Sequence, residues 1–314
     1  MALEPDPAGS PVTTRYARLG LYLVPVLFVW LWSTGFIGAK YGLPYAEPFT
    51  LLLYRMGCTL VLLLVLVWVL PVKWPSAKGA MHTAVTGLLV HGLYLGGVYY
   101  AIYGNMPSGV VSLIVGLQPL VMAVAAVLLL REAINLRQWA GLLLGLLGIG
   151  LVLLEKMGGS AQVDRFPGWA LLWAVIALVG ISIGTVYQKR HGESIDLVAG
   201  TFIQYCAASV FFAIGAFAFE TREVVWHMQL VLSMAWLVLG VSIGAILLLM
   251  MLIRRGAASQ VASLFYLVPP VTALEAFILF DERLGLLAIA GGLVSVTGVA
   301  LVVIKNQPRP SAKA

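Results

Sequence analysis

The sequence predicts an all-α integral membrane protein, with ten transmembrane helices arranged as two inverted five-helix repeats around a central cavity. Three observations lead there. First, 61% of the residues are hydrophobic and only 10% are charged, with a mean hydropathy of +0.99. A water-soluble domain carries roughly 25% charged residues, so a soluble surface cannot be made from this chain. Second, Ser108 to Leu154 lies without a gap on Ala258 to Ile304, 150 positions later, with 15 of 47 positions identical. The matches include Pro119/Pro269, Glu132/Glu282, Gly141/Gly291 and Gly148/Gly298, which apolar composition alone does not produce. Third, the loops of the two copies carry opposite charge. Gly104-Asn105-Met106 is uncharged and its counterpart Arg254-Arg255-Gly256 is doubly basic.

A bilayer core needs about 20 apolar residues per helix. Stretches of that kind are expected near 17–39, 48–70, 81–103, 108–130, 136–154, 167–188, 196–219, 229–252, 257–280 and 284–304. Residues 1–16 form a polar tail without the pattern of a cleaved signal peptide. The first repeat covers 17–154, the linker 155–166, the second repeat 167–305 and a short tail 306–314. The repeat extends beyond its strongest part: Ser33, Gly35 and Lys40 match Ser182, Gly184 and Lys189 at an offset of 149, and Thr50 and Tyr54 match Thr201 and Tyr205 at 151. Five helices per half is an odd number, so the second half enters the membrane from the other side, as in many secondary transporters.

With the N-terminus inside, 13 Lys and Arg fall on the cytoplasmic side and 5 on the other, with Arg55 inside a helix. The positive-inside rule then predicts a multi-pass protein of the cell's inner (plasma) membrane with both termini cytoplasmic. The basic residues are spread between apolar runs, so the net charge of +6 reads as topology and not as nucleic-acid binding. Cys58 and Cys206 both sit in apolar runs and read as packing residues, which excludes a disulfide scaffold.

Polar groups inside a membrane are expensive and are functional candidates by default. Arg55 and Lys40 sit near the outer ends of the second and first helices, where they either serve substrate or gating or snorkel to the interface. Ser33 and Lys40 share a helical face that either lines a cavity or packs closely. Glu275 is the acidic residue deep within a helix, and reads as a proton-coupling site or as one half of an ion pair or hydrogen bond. His91 either binds substrate and passes protons or bonds to a neighbouring helix. Gln118 and Gln204 are uncharged hydrogen-bonding candidates for the cavity wall. Trp32, Tyr99, Tyr205 and Tyr266 are its aromatic candidates, which would suit a substrate with an apolar part. Pro119, Pro269 and Pro270 are expected helix breaks that free backbone carbonyls. Glu132 and Glu282, each just before a following helix, read as complements to a helix dipole.

No HExxH, GxSxG, phosphate loop or Cys/His metal spacing occurs, so neither an enzyme nor a cofactor is expected. The partners expected are a small-molecule substrate and membrane lipid, with no nucleic acid, and the chain monomeric or homodimeric.

The Pro-x12-Glu-x8-Gly pattern at Pro119/Glu132/Gly141 and again at Pro269/Glu282/Gly291 resembles the EamA-type members of the drug/metabolite transporter superfamily. Trp32 to Leu43 (WSTGFIGAKYGL) and the early Arg55 also look like that family's first repeat. The resemblance covers about residues 17–305. It implies a basket of helices around a central cavity, with the fifth and tenth helices at the periphery. The function expected is a secondary transporter working by alternating access, an exporter of amino acids or related metabolites. The alternatives are an exchanger of anionic (phosphorylated or nucleotide-linked) solutes, which needs Lys40 and Arg55 in the cavity, and a non-transporting membrane scaffold.

Overall fold

Helices follow the apolar stretches. The structure, a computed structural model, describes residues 11–121 (backbone alone for 11–22), 136–157, 166–192, 195–245, 248, 252 and 264–303. Glu132, the Arg254-Arg255 pair, most of the linker, much of both tails and the side chain of Tyr266 lie outside what is described. The helices are α1 (Pro11–Gly42), α2 (Pro48–Val69), α3 (Ala77–Tyr103), α4 (Ser108–Val115, resuming after a turn to Val121), α5 (Leu136–Met157), α6 (Gly168–His191), α7 (Leu197–Phe219), α8 (Met228–Ala245), α9 (Val268–Phe280) and α10 (Leu286–Val303). Among the described residues, α1, α2, α3, α6, α7 and α8 contain spans long and apolar enough to cross a membrane, and the apolar parts of α4, α5, α9 and α10 are shorter. No strand occurs among them; one isolated bridge joins Ala46 to Val224.

Helix ends fall where the sequence supplies partners for the exposed amides. Ser76 caps α3 by accepting from Gly79 N at 3.2 Å. Asp196 caps α7 through Val198 N and Ala199 N. α2 begins with Pro48, and Glu47 does not cap it with its own side chain. Glu220, from the end of α7, takes that role: it accepts from Phe49 N and Thr50 N, both at 2.7 Å. Pro269 and Pro270 lie in the first turn of α9, after Val268 and a 3-10 turn at Phe265–Leu267. The expected break therefore occurs at the head of that α-helix, the position where a missing N–H costs least.

Two contact sets fix which helix ends lie together. At one end Ala46 bridges Val224, Val225 N bonds to Tyr45 O at 2.9 Å, and Lys40 pairs with Glu282. Glu282 also accepts from Ser108 N at 3.3 Å, and Glu155 accepts from Ala288 N at 2.5 Å. At the other end His82 stacks on His191 with ring centres 4.3 Å apart. α3 and α6 therefore run antiparallel, and they pack through small residues: Gly97 against Trp173 and Ala177, Gly180 against Leu93, and Gly184 against Val90. Close backbone approach of this kind is how helices associate without a hydrophobic driving force between them.

α5 and α10 pack chiefly on each other. Gly148 abuts Gly291 and Ser295, Gly298 abuts Gly141 and Gly145, and Ser295 Oγ donates to Gly145 O at 3.2 Å. By the 150-residue offset, 141 corresponds to 291, 145 to 295 and 148 to 298. The contacts are thus crossed, with the pair 145/295 touching itself, as expected of two equivalent antiparallel helices about a local two-fold axis. Their outward faces carry exposed leucines, Leu143 and Leu147 on α5 and Leu293 on α10.

A side chain placed in this seam meets backbone that cannot move aside. Gly148→Leu should lower the melting temperature of the detergent-purified protein, at about 1–3 kcal/mol or more for overpacking. Gly150 on the same helix faces open space, and Gly150→Leu should stay within about 0.5 kcal/mol of the wild type. Equal melting of the two variants would refute the seam.

Candidate functional site

Arg55 lies two turns into α2 and is 4% exposed. Its Nε and Nη2 donate to Ser242 Oγ of α8 at 3.3 and 3.2 Å, and its Nη1 donates to Tyr99 OH of α3 at 3.1 Å. It does not snorkel: the stem and the head both turn inward, and three helices close on the guanidinium. Among the described residues the ion pairs are Lys40–Glu282 and Arg283–Asp281, so Arg55 has no carboxylate partner there.

The guanidinium borders a cavity of about 90 Å³, room for several waters. Trp32, Gly35 and Phe36 of α1, Arg55 of α2, His91, Tyr94, Val98 and Tyr99 of α3, Ile181 of α6, Tyr205 of α7 and Val241 and Ser242 of α8 are among its walls. The rings are held from behind. Trp32 meets Phe265 edge to face at 5.0 Å and Phe28 at 5.6 Å. His91 lies 4.7 Å from the Tyr205 ring.

Both helices that flank the guanidinium depart from α geometry here. α3 is a π-helix over Leu88–Leu93, and α8 is one over Trp236–Ala245. A π turn inserts a residue and re-aims the side chains that follow, and such turns concentrate at functional sites. His91 sits in the first segment and Ser242 in the second. Of Arg55's two partners, Ser242 lies inside a π segment and Tyr99 lies six residues past the other, in regular α-helix.

A second cavity of about 100 Å³ lies toward the His82 end of α3, α6 and α7. It is polar, with His82, Thr86, Gln188, His191, Asp196 and Gln204 among its walls. His82 Nδ1 lies 2.7 Å from Tyr187 OH. Gln204 belongs to this cavity and its neighbour in sequence, Tyr205, to the first. A third space of about 240 Å³ is apolar and lies among α4, α5, α9 and α10, with Pro269 and Pro270 in its wall.

The structure thus brings together Trp32, Arg55, His91, Tyr99 and Tyr205, with Gln204 next door. It places the other candidates elsewhere. Ser33 is buried and turns to Val29 O at 2.8 Å and Val268 O at 3.4 Å, between α1 and α9. Gln118 Nε2 donates to Thr185 Oγ1 at 2.9 Å, joining α4 to α6, and Pro119 follows it where α4 resumes after the turn at Gly116 and Leu117. Lys40 is held by Glu282. Glu282 meets the first amide of α4, not the helix that follows it in sequence. Glu275 stands on α9, away from the walls of the central cavity, and neither carboxylate oxygen has a hydrogen-bond partner among the described residues. Ser242 was missed by sequence reading; one hydroxyl in the run GVSIGAILLL gives no signal of its own. Glu220 was missed too, because an acid closing a helix reads as a surface residue.

Comparison with known proteins bears on the whole chain. The EamA-like transporter family matches twice, over residues 18–154 and 168–304. The chain is 30% identical over 309 residues to the uncharacterized transporter YvbV of Bacillus subtilis, covering 95% of each. It is 25% identical over 244 residues to the uncharacterized inner membrane transporter YedA of Escherichia coli, covering 78% of each. A protein of known crystal structure shares the fold with a TM-score of 0.60 at 20% identity, over 89% of this chain and 94% of that one. With two family units, apolar helices of spanning length and a cavity that both units line, the chain belongs to the EamA-like transporter family and is a membrane transporter.

Proposed function

We propose that the protein is a secondary transporter of the cell's inner membrane that exports a small metabolite, an amino acid or a relative of one, by alternating access between two inverted five-helix halves. The observation that carries this reading is the Arg55 cavity. Its walls come from α1–α3 of one half and α6–α8 of the other, so any rocking of the halves reshapes it. The antiparallel course of α3 and α6 and the crossed glycine contacts of α5 and α10 support inversion. The excess of Lys and Arg at the His82 end supports cytoplasmic termini. The partners that follow are a small solute and lipid, with no nucleic acid, and the chain alone or as a homodimer.

The exchanger of phosphorylated solutes needs two cations in the cavity. Arg55 is there and Lys40 is not, so that reading keeps half of its support. Lys40 fits a gate instead. Its ion pair with Glu282 ties α1 to α9 at the outer end. The repeat offsets give Lys189 and Glu132 as the counterparts of the two residues in sequence.

The test is access. In a Cys58→Ser/Cys206→Ser background, Val241→Cys puts a thiol in the cavity wall. An impermeant maleimide should label it from both faces of oriented vesicles, and Glu282→Gln should raise the rate from the Lys40 face by several-fold relative to the other. Labelling from neither face would support the non-transporting scaffold. Labelling from one face only, whatever stands at 282, would contradict alternation.

Glu275 is the candidate for proton coupling, since its carboxylate oxygens are buried and unpartnered among the described residues. Glu275→Gln should abolish gradient-driven flux and leave solute exchange intact. Undiminished driven flux would remove Glu275 from the mechanism.

A further inference from the structure

The charge of the cavity wall narrows what the site takes. We propose that the substrate is an organic monoanion, a single carboxylate on an aromatic or bulky apolar body that carries no ammonium group; this rests on the transport reading of the same cavity and narrows its cargo from amino acids to their carboxylate relatives that lack the amine.

Three facts carry it. The first is the donor count on Arg55. A guanidinium has five N–H donors and no acceptor. Three are used, two on Ser242 and one on Tyr99, and the remainder belong to a head that borders the cavity. Planar forks of this kind match a carboxylate bidentately.

The second is the absence of the opposite charge. Among the described residues that line the cavity there is no Asp or Glu. Glu275 stands on α9, outside the cavity wall, and four other acids among the described residues are engaged. Glu220 is bound to the head of α2 and to Tyr100 OH at 2.7 Å. Glu47 holds Thr221 N at 2.6 Å, Asp196 caps α7, and Glu282 holds Lys40. An α-ammonium entering with the carboxylate would find no anion. Only ring faces would meet it, and these give a weaker hold than a carboxylate. A phosphate carries about −1.5 to −2 charge near neutral pH, more than one guanidinium cancels.

The third is the state of the other polar wall atoms. Tyr99 OH and Ser242 Oγ accept from Arg55 and keep their O–H groups to donate, which suits an anion set beside the guanidinium. The His91 ring lies against that of Tyr205. The rest of the wall offers mostly ring face and aliphatic side chain. A burial-driven body and one charged anchor is the ligand such a wall recognises.

The test is binding to the purified full chain in nanodiscs, read by calorimetry and by quenching of tryptophan fluorescence. The four probes share one ring: 3-phenylpropanoate, L-phenylalanine, 2-phenylethylamine and 3-phenylpropanamide. 3-Phenylpropanoate should bind tightest, with L-phenylalanine about tenfold or more weaker and the amine weaker still. Arg55→Gln should cut affinity for the acid about tenfold or more while changing that for the amide little, which also shows that the cavity still folds. Arg55→Lys should recover part of the loss.

L-phenylalanine binding as tightly as the acid, or Arg55→Gln weakening acid and amide alike, would overturn the proposal. So would the failure of all four probes to bind. The transport reading is read separately from these outcomes. Val241→Cys labelled from both faces with no preference for the acid leaves transport standing and the substrate class refuted. A thiol closed to both faces, with the acid still preferred, leaves the binding site standing and transport refuted.

Discussion

A guanidinium buried in a membrane-spanning fold, with hydroxyls and no carboxylate around it, is the constraint that organises this protein. An isolated charge in a low-dielectric interior is costly, and it persists only where the surroundings are arranged for it. Here the arrangement involves three helices. α2 supplies Arg55, α3 supplies Tyr99 and α8 supplies Ser242. Both partner helices carry a π segment, which holds Ser242 in α8 and precedes Tyr99 in α3. Around the charge the wall is largely aromatic, and such low-dielectric surroundings strengthen whatever electrostatic contact a solute makes with the cation.

The scaffold around the site is built from close backbone approaches. Gly97, Gly180 and Gly184 bring α3 and α6 together, and Gly148, Gly291 and Gly298 do the same for α5 and α10. In a bilayer such contacts replace the hydrophobic effect as the source of specificity. They also let packed helices shift as rigid bodies, since no long side chain has to be unthreaded. The polar locks sit at the ends. Glu220 and Glu47 tie the loop after α1 to the loop after α7, and Lys40–Glu282 ties α1 to α9. The middle of the molecule holds the charge, and the ends hold the polar ties.

Much of the fold was legible in the sequence, and the reason is physical. Hydrocarbon demands apolar runs of a given length, so helices such as Pro48–Val69 and Leu197–Phe219 begin within a residue or two of where the runs do. The repeat was legible because Pro, Glu and Gly are rare enough in an apolar chain for their spacing to carry information. The candidate site was legible in part. Arg55, His91, Trp32, Tyr99 and Tyr205 stand out as polar or aromatic groups in apolar helices, and they do converge. Ser33 and Gln118 stand out equally and do not, because helical periodicity gives a face but not the neighbour that face meets. Ser242 was invisible: its role comes from a π segment, a backbone irregularity without a composition signature. Glu220 was invisible because its partner is the head of a helix 170 positions away.

If Arg55 is held for a solute and not for the fold, the empty protein carries an unneutralised charge at a cost in stability. Replacing a buried ionic group by an apolar one of similar size is often neutral or stabilising. The direct measurement is the melting temperature of Arg55→Met against wild type, both purified without solute. The account predicts that Arg55→Met melts at or above the wild-type temperature. A variant that melts several degrees lower would show that Arg55 is a structural post, and would contradict it.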